Sequence, residues 1–201
     1  AIVAAVKARF ESRLLEGRRV VITAGPTMEA IDPVRYLSNH SSGKMGFALA
    51  GACAEAGAQV ELISGPVHLD APDRVTVHPV TSAIEMCEQA LALSAGADVF
   101  IGAAAVADYR PETTSAEKIK KSDGAPLTLS LVENPDIIAC VAQLASRPSM
   151  VVGFAAETES LMHHAREKRQ RKRLDMIIAN DVGDPDTTFG SEQNAVHLIM
   201  E

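Results

Sequence analysis

The sequence has no tryptophan, and aromatic residues make up only 3% of its 201 positions. A hydrophobic core must therefore be built from Ala, Val, Ile and Leu, and the 47% of hydrophobic residues supply enough of them. The cysteines are few and scattered: Cys53, Cys87 and Cys140, with no CxxC spacing and no clustered histidines. This pattern excludes a disulfide framework, argues against a zinc site and predicts unpaired thiols in a reducing, cytoplasmic compartment.

The sequence also lacks an excess of positive charge. Its 19 Lys and Arg residues face 26 Asp and Glu residues, which gives a net charge of −7 and argues against a nucleic-acid partner. No apolar run approaches the roughly 20 residues of a membrane helix, and the N-terminus has no signal-peptide pattern. The composition predicts a cytoplasmic globular protein with no membrane partner, and the length fits one domain.

Short β-branched runs alternate with helix-like segments along the chain. This alternation predicts an α/β fold: a Rossmann-like, mostly parallel sheet with helices on both faces, and a binding crevice at the carboxyl ends of its strands. The predicted strands are 19–24, 59–64, 74–78, 98–102, 150–154, 176–179 and 195–200, with an exposed strand at 127–132. The predicted helices are 2–16, 44–56, 82–94, 135–144 and 161–174.

The first candidate binding stretch is Ser38–Gly46, which opens a helix after a long connection, residues 25–43, predicted to have no regular structure. Free amides at a helix start, with Ser41, Ser42, Gly43 and a lysine, suit an anion. Alternatively, one of the two serines simply caps the helix. The Walker A spacing is absent. Asn39 can donate and accept hydrogen bonds, so it could steer a carbonyl or an intermediate.

The second stretch, Gly102–Asp108, consists mostly of very small residues. Small side chains allow a flat ring to approach the backbone, but they are also common where a helix packs tightly on a sheet. Asp108 could hold a ribose hydroxyl or a metal. Phe154 ends a predicted strand, and it either belongs to the core or borders a base pocket.

Two basic stretches have competing interpretations. Glu117–Lys121 lies in a polar segment, 112–126, and is either a solvated surface run or a flexible basic flap that closes over a polyphosphate. Lys168 and Lys172 lie one turn apart in a basic helix. That helix presents either a solvated face or a phosphate clamp at the binding edge.

Several strings resemble bacterial phosphopantothenoylcysteine synthetase, from about residue 18 to the end. This family forms the second enzyme of a bifunctional coenzyme A biosynthesis protein, which implies an upstream flavoprotein decarboxylase domain and a homodimer. Residues 1–17 are then expected to be the linker helix and 18–201 the nucleotide-binding synthetase domain, and members usually continue beyond the last strand. The matching strings are Ile22–Thr27, Asp32–Tyr36, Ser38–Gly46, Ala104–Tyr109, Glu117–Lys121, Asn134–Asp136 and Val152–Glu157.

The resemblance implies a ligase that joins 4′-phosphopantothenate to L-cysteine. CTP first activates the carboxylate as an acyl-cytidylate and releases pyrophosphate. The cysteine amine then displaces CMP. Mg²⁺ accompanies the nucleotide. The choice of CTP follows from the resemblance alone. Such a reaction needs no nucleophilic side chain, which agrees with the lack of Ser/His or Cys/His spacing in the sequence.

The resemblance also implies roles for individual residues. Lys118, on the flap, promotes formation of the acyl-cytidylate, and Asn39 handles the acyl intermediate. Lys168 and Lys172 contact the phosphates. The other expected nucleotide-binding residues are Gly102, Ala103, Ala104, Asp108, Pro135, Asp136, Ile137, Ile138 and Phe154. The expected substrate-binding residues are Arg35, Asn39, Ser41, Ser42, Gly43 and Ala105.

Two other functions compete with the ligase. A nicotinamide-dependent oxidoreductase would use the same fold, but residues 25–30 read GPTMEA rather than GxGxxG, and there is no Tyr-x-x-x-Lys pair. A non-catalytic nucleotide sensor would bind CTP without releasing pyrophosphate. Fold alone cannot separate the three.

Overall fold

The computed structural model describes residues 13–121, 124, 126–157, 161–181 and 196–200. Eleven strands and four helices lie in these ranges. The strands are β1 (Arg19–Ala24), β2 (Met28–Asp32), β3 (Arg35–Ser38), β4 (Gln59–Ser64), β5 (Val75–Pro79), β6 (Val99–Gly102), β7 (Tyr109–Pro111), β8 (Leu131–Glu133), β9 (Met150–Glu157), β10 (Met176–Asp181) and β11 (Val196–Ile199). The helices are α1 (Lys44–Glu55), α2 (Ala83–Ser94), α3 (Ile137–Ala142) and α4 (Leu161–Lys172).

The main sheet has seven strands in the order β11-β10-β9-β6-β1-β4-β5. Its neighbours pair in parallel, except that β11 runs antiparallel to β10. The chain winds outward from β1 in one direction and then starts again at β6 beside it, so strand order reverses between β1 and β6. Ligands of such sheets bind at this switch point. The predicted α/β fold is confirmed, and all seven strands predicted for the main sheet are present.

The apolar runs of the central strands are continuous because both faces of the sheet are covered. On one face, Val21 belongs to a core cluster that includes Met86 of α2 and Val141 of α3. On the other face, Ile22 packs in a cluster with Phe47 of α1. Alternate residues of a strand therefore enter different cores, and helices cover both faces as predicted.

The prediction of an unstructured connection over 25–43 is wrong, because β2 and β3 form an antiparallel hairpin within it. β7 and β8 also pair antiparallel, although residues 112–130 separate them along the chain, and we call this pair the second hairpin. The exposed strand predicted over 127–132 is β8, which begins only at Leu131. Both hairpins are short and partly exposed, so they lack the long apolar signal of the main sheet.

Helix α1 starts at Lys44 as predicted, whereas α3 starts two residues later than predicted. Gly43 precedes α1 in the left-handed conformation (φ 76°), and its N-cap position has no side-chain hydrogen bond, so neither Ser41 nor Ser42 caps this helix. The helix predicted to begin at Pro135 begins at Ile137, and the carboxylate of Asp136, which precedes it, accepts from the Ala139 amide.

The start of α2 agrees with the prediction, since Ser82 caps it by accepting from the Glu85 amide. Of the predicted linker helix, residues 1–12 lie outside the described residues, and residues 14–17 form a turn. Among the helices of the described ranges, none is long and apolar enough to cross a membrane.

Candidate functional site

A cavity of about 540 Å³ opens at the carboxyl ends of β6 and β9, next to the switch point. We call it the sheet-edge cavity. One wall comes from the segment that follows β6, a second from the start of α3, and a third from α4. Its lining residues are Thr23, Phe100, Gly102, Ala104, Ala105, Val106, Ala107, Asp108, Tyr109, Glu133, Asn134, Pro135, Asp136, Ile137, Ile138, Gly153, Phe154, Lys168 and Lys172.

Residues 103–107, the small-residue segment, extend alongside the end of β1. The Ala105 amide donates to the carbonyl oxygen of Gly25 (2.9 Å), and the Ala107 amide donates to the buried hydroxyl of Thr27 (3.0 Å). The Thr27 amide in turn donates to the carbonyl oxygen of Ala105 (3.3 Å). The backbone wall of the cavity is therefore held at several points, which is the preorganisation that recognition by backbone groups requires.

Asn39 connects the Ser38–Gly46 stretch to this wall. Its Nδ2 atom donates to the carbonyl oxygens of Ala105 (3.2 Å) and Val106 (3.1 Å). The amide side chain thus lies against the backbone of the cavity, in contact with residues that line it. This placement is compatible with the predicted handling of an acyl intermediate, and that role stays a prediction.

Two residues that sequence reasoning missed also fix the wall. Thr27 supplies the hydroxyl described above. The side-chain Nδ2 of Asn134 donates to the carbonyl oxygen of Ala107 (2.8 Å), and its backbone N–H donates to the carbonyl oxygen of Asp108 (2.8 Å). One signal in the sequence could have found Asn134: an Asn-Pro pair before a helix forms a turn in which the Asn side chain often bonds to the backbone.

Two neighbouring strands each place a glycine in the floor of the cavity. Gly102 of β6 and Gly153 of β9 are register partners. A Cβ atom on Gly153 would lie 2.8 Å from both Ile138 Cδ1 and Leu174 Cδ1, and one on Gly102 would lie 3.1 Å from Ile138 Cδ1. The glycines therefore let α3 approach the sheet closely, so Gly102 serves packing as well as lining the cavity.

The two lysines of α4 both reach the cavity. Lys168 Nζ donates to the carbonyl oxygen of Phe154 (2.9 Å), and Lys172 Nζ pairs with Asp136 Oδ2 at 2.7 Å. Only 18% of the Lys172 side chain is exposed. This placement favours the phosphate-clamp interpretation over a solvated helix face. Phe154 lines the cavity and also packs against a core cluster, and its place beside a base stays a prediction.

The structure does not place Lys118 in the cavity lining. Lys118 is exposed, and the next residue, Ile119, is fastened to the β2–β3 hairpin. The Ile119 amide donates to Asp32 Oδ2 (3.1 Å), and its carbonyl oxygen accepts from Arg35 Nη2 (2.5 Å). The described part of the flap therefore lies along the hairpin, and its flexibility stays a prediction.

Asp32 is the anchor of this contact. Its side chain is buried and pairs with Arg35 (2.7 Å). Burial raises the pKa of Asp32, but hydrogen bonds from the Val34 and Ile119 amides and the charge of Arg35 outweigh it, so the pKa lies below its ordinary value. Ionised Asp32 therefore stabilises the fold above its unfolded pKa of about 3.9, and this contribution is lost as the pH falls through the lower folded value.

The residues predicted for the site divide into those that line the cavity and those that do not. Eleven of them line the cavity: Gly102, Ala104, Ala105, Asp108, Pro135, Asp136, Ile137, Ile138, Phe154, Lys168 and Lys172. Those that lie elsewhere are Ala103, Arg35, Ser41, Ser42, Gly43 and Lys118, and Asn39 is outside the lining but donates to the backbone of the wall. Gly43 packs against the turn that follows β1, because a Cβ there would lie 3.4 Å from Gly25 Cα. The roles of all these residues stay predictions.

The model of the "DNA/pantothenate metabolism flavoprotein C-terminal domain" family matches residues 15–201. The chain belongs to this family. Its similarity to individual members covers nearly all of the chain. It is 52% identical over 193 residues to the coenzyme A biosynthesis bifunctional protein CoaBC of Vibrio cholerae, covering 96% of the chain and 48% of that protein. The CoaBC of Escherichia coli K12 is 52% identical over 189 residues, covering 93% and 47%.

A solved member of the family has the same fold. The crystal structure of the C-terminal domain of CoaBC superposes with a TM-score of 0.75 at 40% identity, covering 85% of this chain and 80% of that one. The resemblance read from the sequence motifs is thus confirmed at the level of the family. The chain spans about half the length of the curated relatives it matches.

Proposed function

We propose that this chain ligates 4′-phosphopantothenate to L-cysteine with CTP, in coenzyme A biosynthesis. The observation that supports it most is the sheet-edge cavity, which has a fixed backbone wall for a base and ribose and two lysines of α4 for phosphates. Relatives that are named as coenzyme A biosynthesis proteins point to the same chemistry.

The proposed reaction has two steps. A carboxylate oxygen of 4′-phosphopantothenate attacks the α-phosphorus of CTP, and the bond to pyrophosphate breaks, which leaves an acyl-cytidylate. The amine of cysteine then attacks the acyl carbon, the bond to CMP breaks, and an amide forms as the amine loses a proton. Negative charge builds on the phosphoryl oxygens in the first step. Lysine side chains that are already in place stabilise that charge without reorganisation.

The cavity fits a Mg²⁺ ion that enters with the nucleotide. Within the described residues there is no cluster of three or more His, Cys, Asp or Glu side chains able to hold a metal. Mg²⁺ commonly binds through one or two carboxylates together with substrate phosphates, so such a cluster is not required. Asp108 and Glu133 line the cavity and would hold it. The ion would neutralise charge on the phosphates.

Asn39 and Lys118 carry the two proposed catalytic roles. Asn39 acts on the acyl-cytidylate, supported by its contacts with the backbone wall. Lys118 promotes the first step from the flap. Since Lys118 lies outside the cavity lining, this role requires movement of the flap or contact with a second subunit.

We also propose that the chain forms a homodimer through its two hairpins. β2 packs against β7, so the hairpins are adjacent. Together they expose large apolar side chains: Val34 (58%), Tyr36 (54%), Tyr109 (49%) and Leu131 (45%). Neighbouring exposed apolar residues of this kind mark interaction surfaces.

Replacing Tyr36 and Leu131 together with serine should shift the protein from dimer to monomer, because the exposed apolar area that drives association is lost. Light scattering after gel filtration measures the mass. Replacing the exposed Leu198 of β11, which is an edge strand of the main sheet, with serine should leave the dimer intact. A double variant that stays dimeric would place the interface elsewhere.

The proposed compartment is the cytoplasm, supported by the three free cysteines, Cys53, Cys87 and Cys140. The proposed partner is a flavoprotein decarboxylase domain on the same polypeptide, which the family description and the length of the relatives support.

Pyrophosphate release tests the proposed function. With 4′-phosphopantothenate, Mg²⁺ and CTP, we expect pyrophosphate before cysteine is added, because activation precedes amide formation. ATP in place of CTP should give a much lower rate. Binding of CTP without pyrophosphate would favour the nucleotide sensor. Thermal protection by NADP⁺ but not by CTP would favour the oxidoreductase.

A further inference from the structure

Two lysines of α4 lie in the cavity. Lys168 donates to the backbone carbonyl of Phe154. Lys172 forms an ion pair with the carboxylate of Asp136. An anion that enters the cavity and contacts Lys172 must compete with this carboxylate, which is already in place.

Asp136 is well suited to hold and release this lysine. Its Oδ1 atom accepts from the Ala139 amide (3.2 Å) and so caps α3, while Oδ2 pairs with Lys172. The cap fixes the carboxylate in position whether or not Lys172 stays bound to it. The Asp136 side chain is 45% exposed, so water can solvate Oδ2 when the lysine leaves. Exchange therefore costs little on the Asp136 side, since an exposed carboxylate is readily solvated.

We infer that Asp136 is an exchangeable counter-ion for Lys172: it holds the ammonium group in the cavity, gives it up to the incoming phosphates and takes it back when pyrophosphate leaves. This rests on the proposed function, because it assigns the phosphates of the substrate nucleotide to this end of the cavity. Asp136 is thus a positioning residue that weakens phosphate binding and speeds product release.

Asp136→Asn separates this role from helix capping, because Asn caps helices about as well as Asp. Titration calorimetry with inorganic pyrophosphate, and separately with CTP, should show about three- to tenfold tighter binding to this variant, as expected for removal of one nearby competing charge. Without ligand, the melting temperature should stay close to that of the parent chain. In turnover, KM for CTP and the inhibition constant of pyrophosphate should both fall.

Glu167→Gln is the matched control, since it removes the same charge from the exposed face of α4. It should change pyrophosphate affinity by less than about twofold, because exposed charges at a distance are screened. The gain from Asp136→Asn should shrink to less than half in a Lys172→Met background. A full gain in that background would indicate simple repulsion by the carboxylate and overturn the exchange.

Other results would also overturn the inference. Unchanged pyrophosphate affinity in Asp136→Asn would show that the ion pair does not compete with phosphates. Weaker binding of CTP that appears only with Mg²⁺ would identify Asp136 as a metal ligand. If the parent chain bound neither CTP nor pyrophosphate, the proposed function itself would fail. Normal binding of both, with no gain in the variant, would refute only the inference.

Discussion

Gly65→Ala is expected to destabilise the chain by more than about 3 kcal/mol, at the upper end of overpacking effects. A Cβ atom on Gly65 would lie 1.7 Å from the carbonyl oxygen of Pro26 and 2.8 Å from its carbonyl carbon. Both atoms belong to the backbone, so no side chain can rotate away. The loop after β4 and the turn after β1 would have to separate. Urea unfolding measures the loss directly.

The same change should damage the sheet-edge cavity. Pro26 forms a parallel bridge with Ala105, so a shift of the turn moves the small-residue segment. The Gly65 amide also donates to the carbonyl oxygen of Ala24 (2.9 Å), which ties the loop to the end of β1. Any Gly65→Ala protein that still folds should therefore release pyrophosphate more slowly than the parent chain.

Gly51→Ala is the matched control. Gly51 lies within α1, and the nearest atom to a Cβ there is Pro72 Cβ, at 3.7 Å. This is ordinary contact, and alanine is the better helix residue, so the variant should gain about 0.5–1 kcal/mol. Equal stability losses in both variants would contradict the close approach at Gly65.

The main sheet was predictable because its strands are buried on both faces. A run such as Val20–Ile22 supplies residues to both cores and is apolar without interruption. The two hairpins gave no such signal. In β2, Glu29 is buried and its carboxylate accepts a hydrogen bond from the Ala83 amide, whereas Ala30 is exposed. Such a strand reverses the usual relation between polarity and burial, so periodicity cannot find it.

The site was predictable where the side-chain spacing carried the information. Lys168 and Lys172 lie one turn apart, so a single helix face had to present both. The function of Thr27 could not be predicted, because its partner amide, on Ala107, comes from a distant strand connection. The alternative in which Ser41 or Ser42 caps α1 fails for a related reason. Serine is a common N-cap residue, but Gly43 takes this position in a left-handed conformation and allows close contact with Gly25.

Lys118→Gln is expected to slow pyrophosphate release by about a hundredfold or more, the cost typical of losing one group that stabilises transition-state charge. CTP affinity, measured by calorimetry, should change by less than about threefold, because Lys118 is exposed and lies outside the cavity lining. An interaction made only in the transition state lowers the rate without weakening ground-state binding. Single-turnover measurements without cysteine isolate this step.

The position of Lys118 explains why we expect a large loss of rate together with a small change in CTP affinity. The backbone of its neighbour Ile119 is hydrogen-bonded to Asp32 and Arg35, so Lys118 lies beside the β2–β3 hairpin and outside the cavity. Lys120→Gln, the same charge change two positions along on an exposed residue, should retain at least about half of the parent rate, since surface charges act weakly through solvent. Equal losses of rate in both variants would indicate that the flap contributes only its overall positive charge and that Lys118 has no specific role. A loss of CTP affinity as large as the loss of rate would instead place Lys118 on the bound nucleotide before the reaction begins.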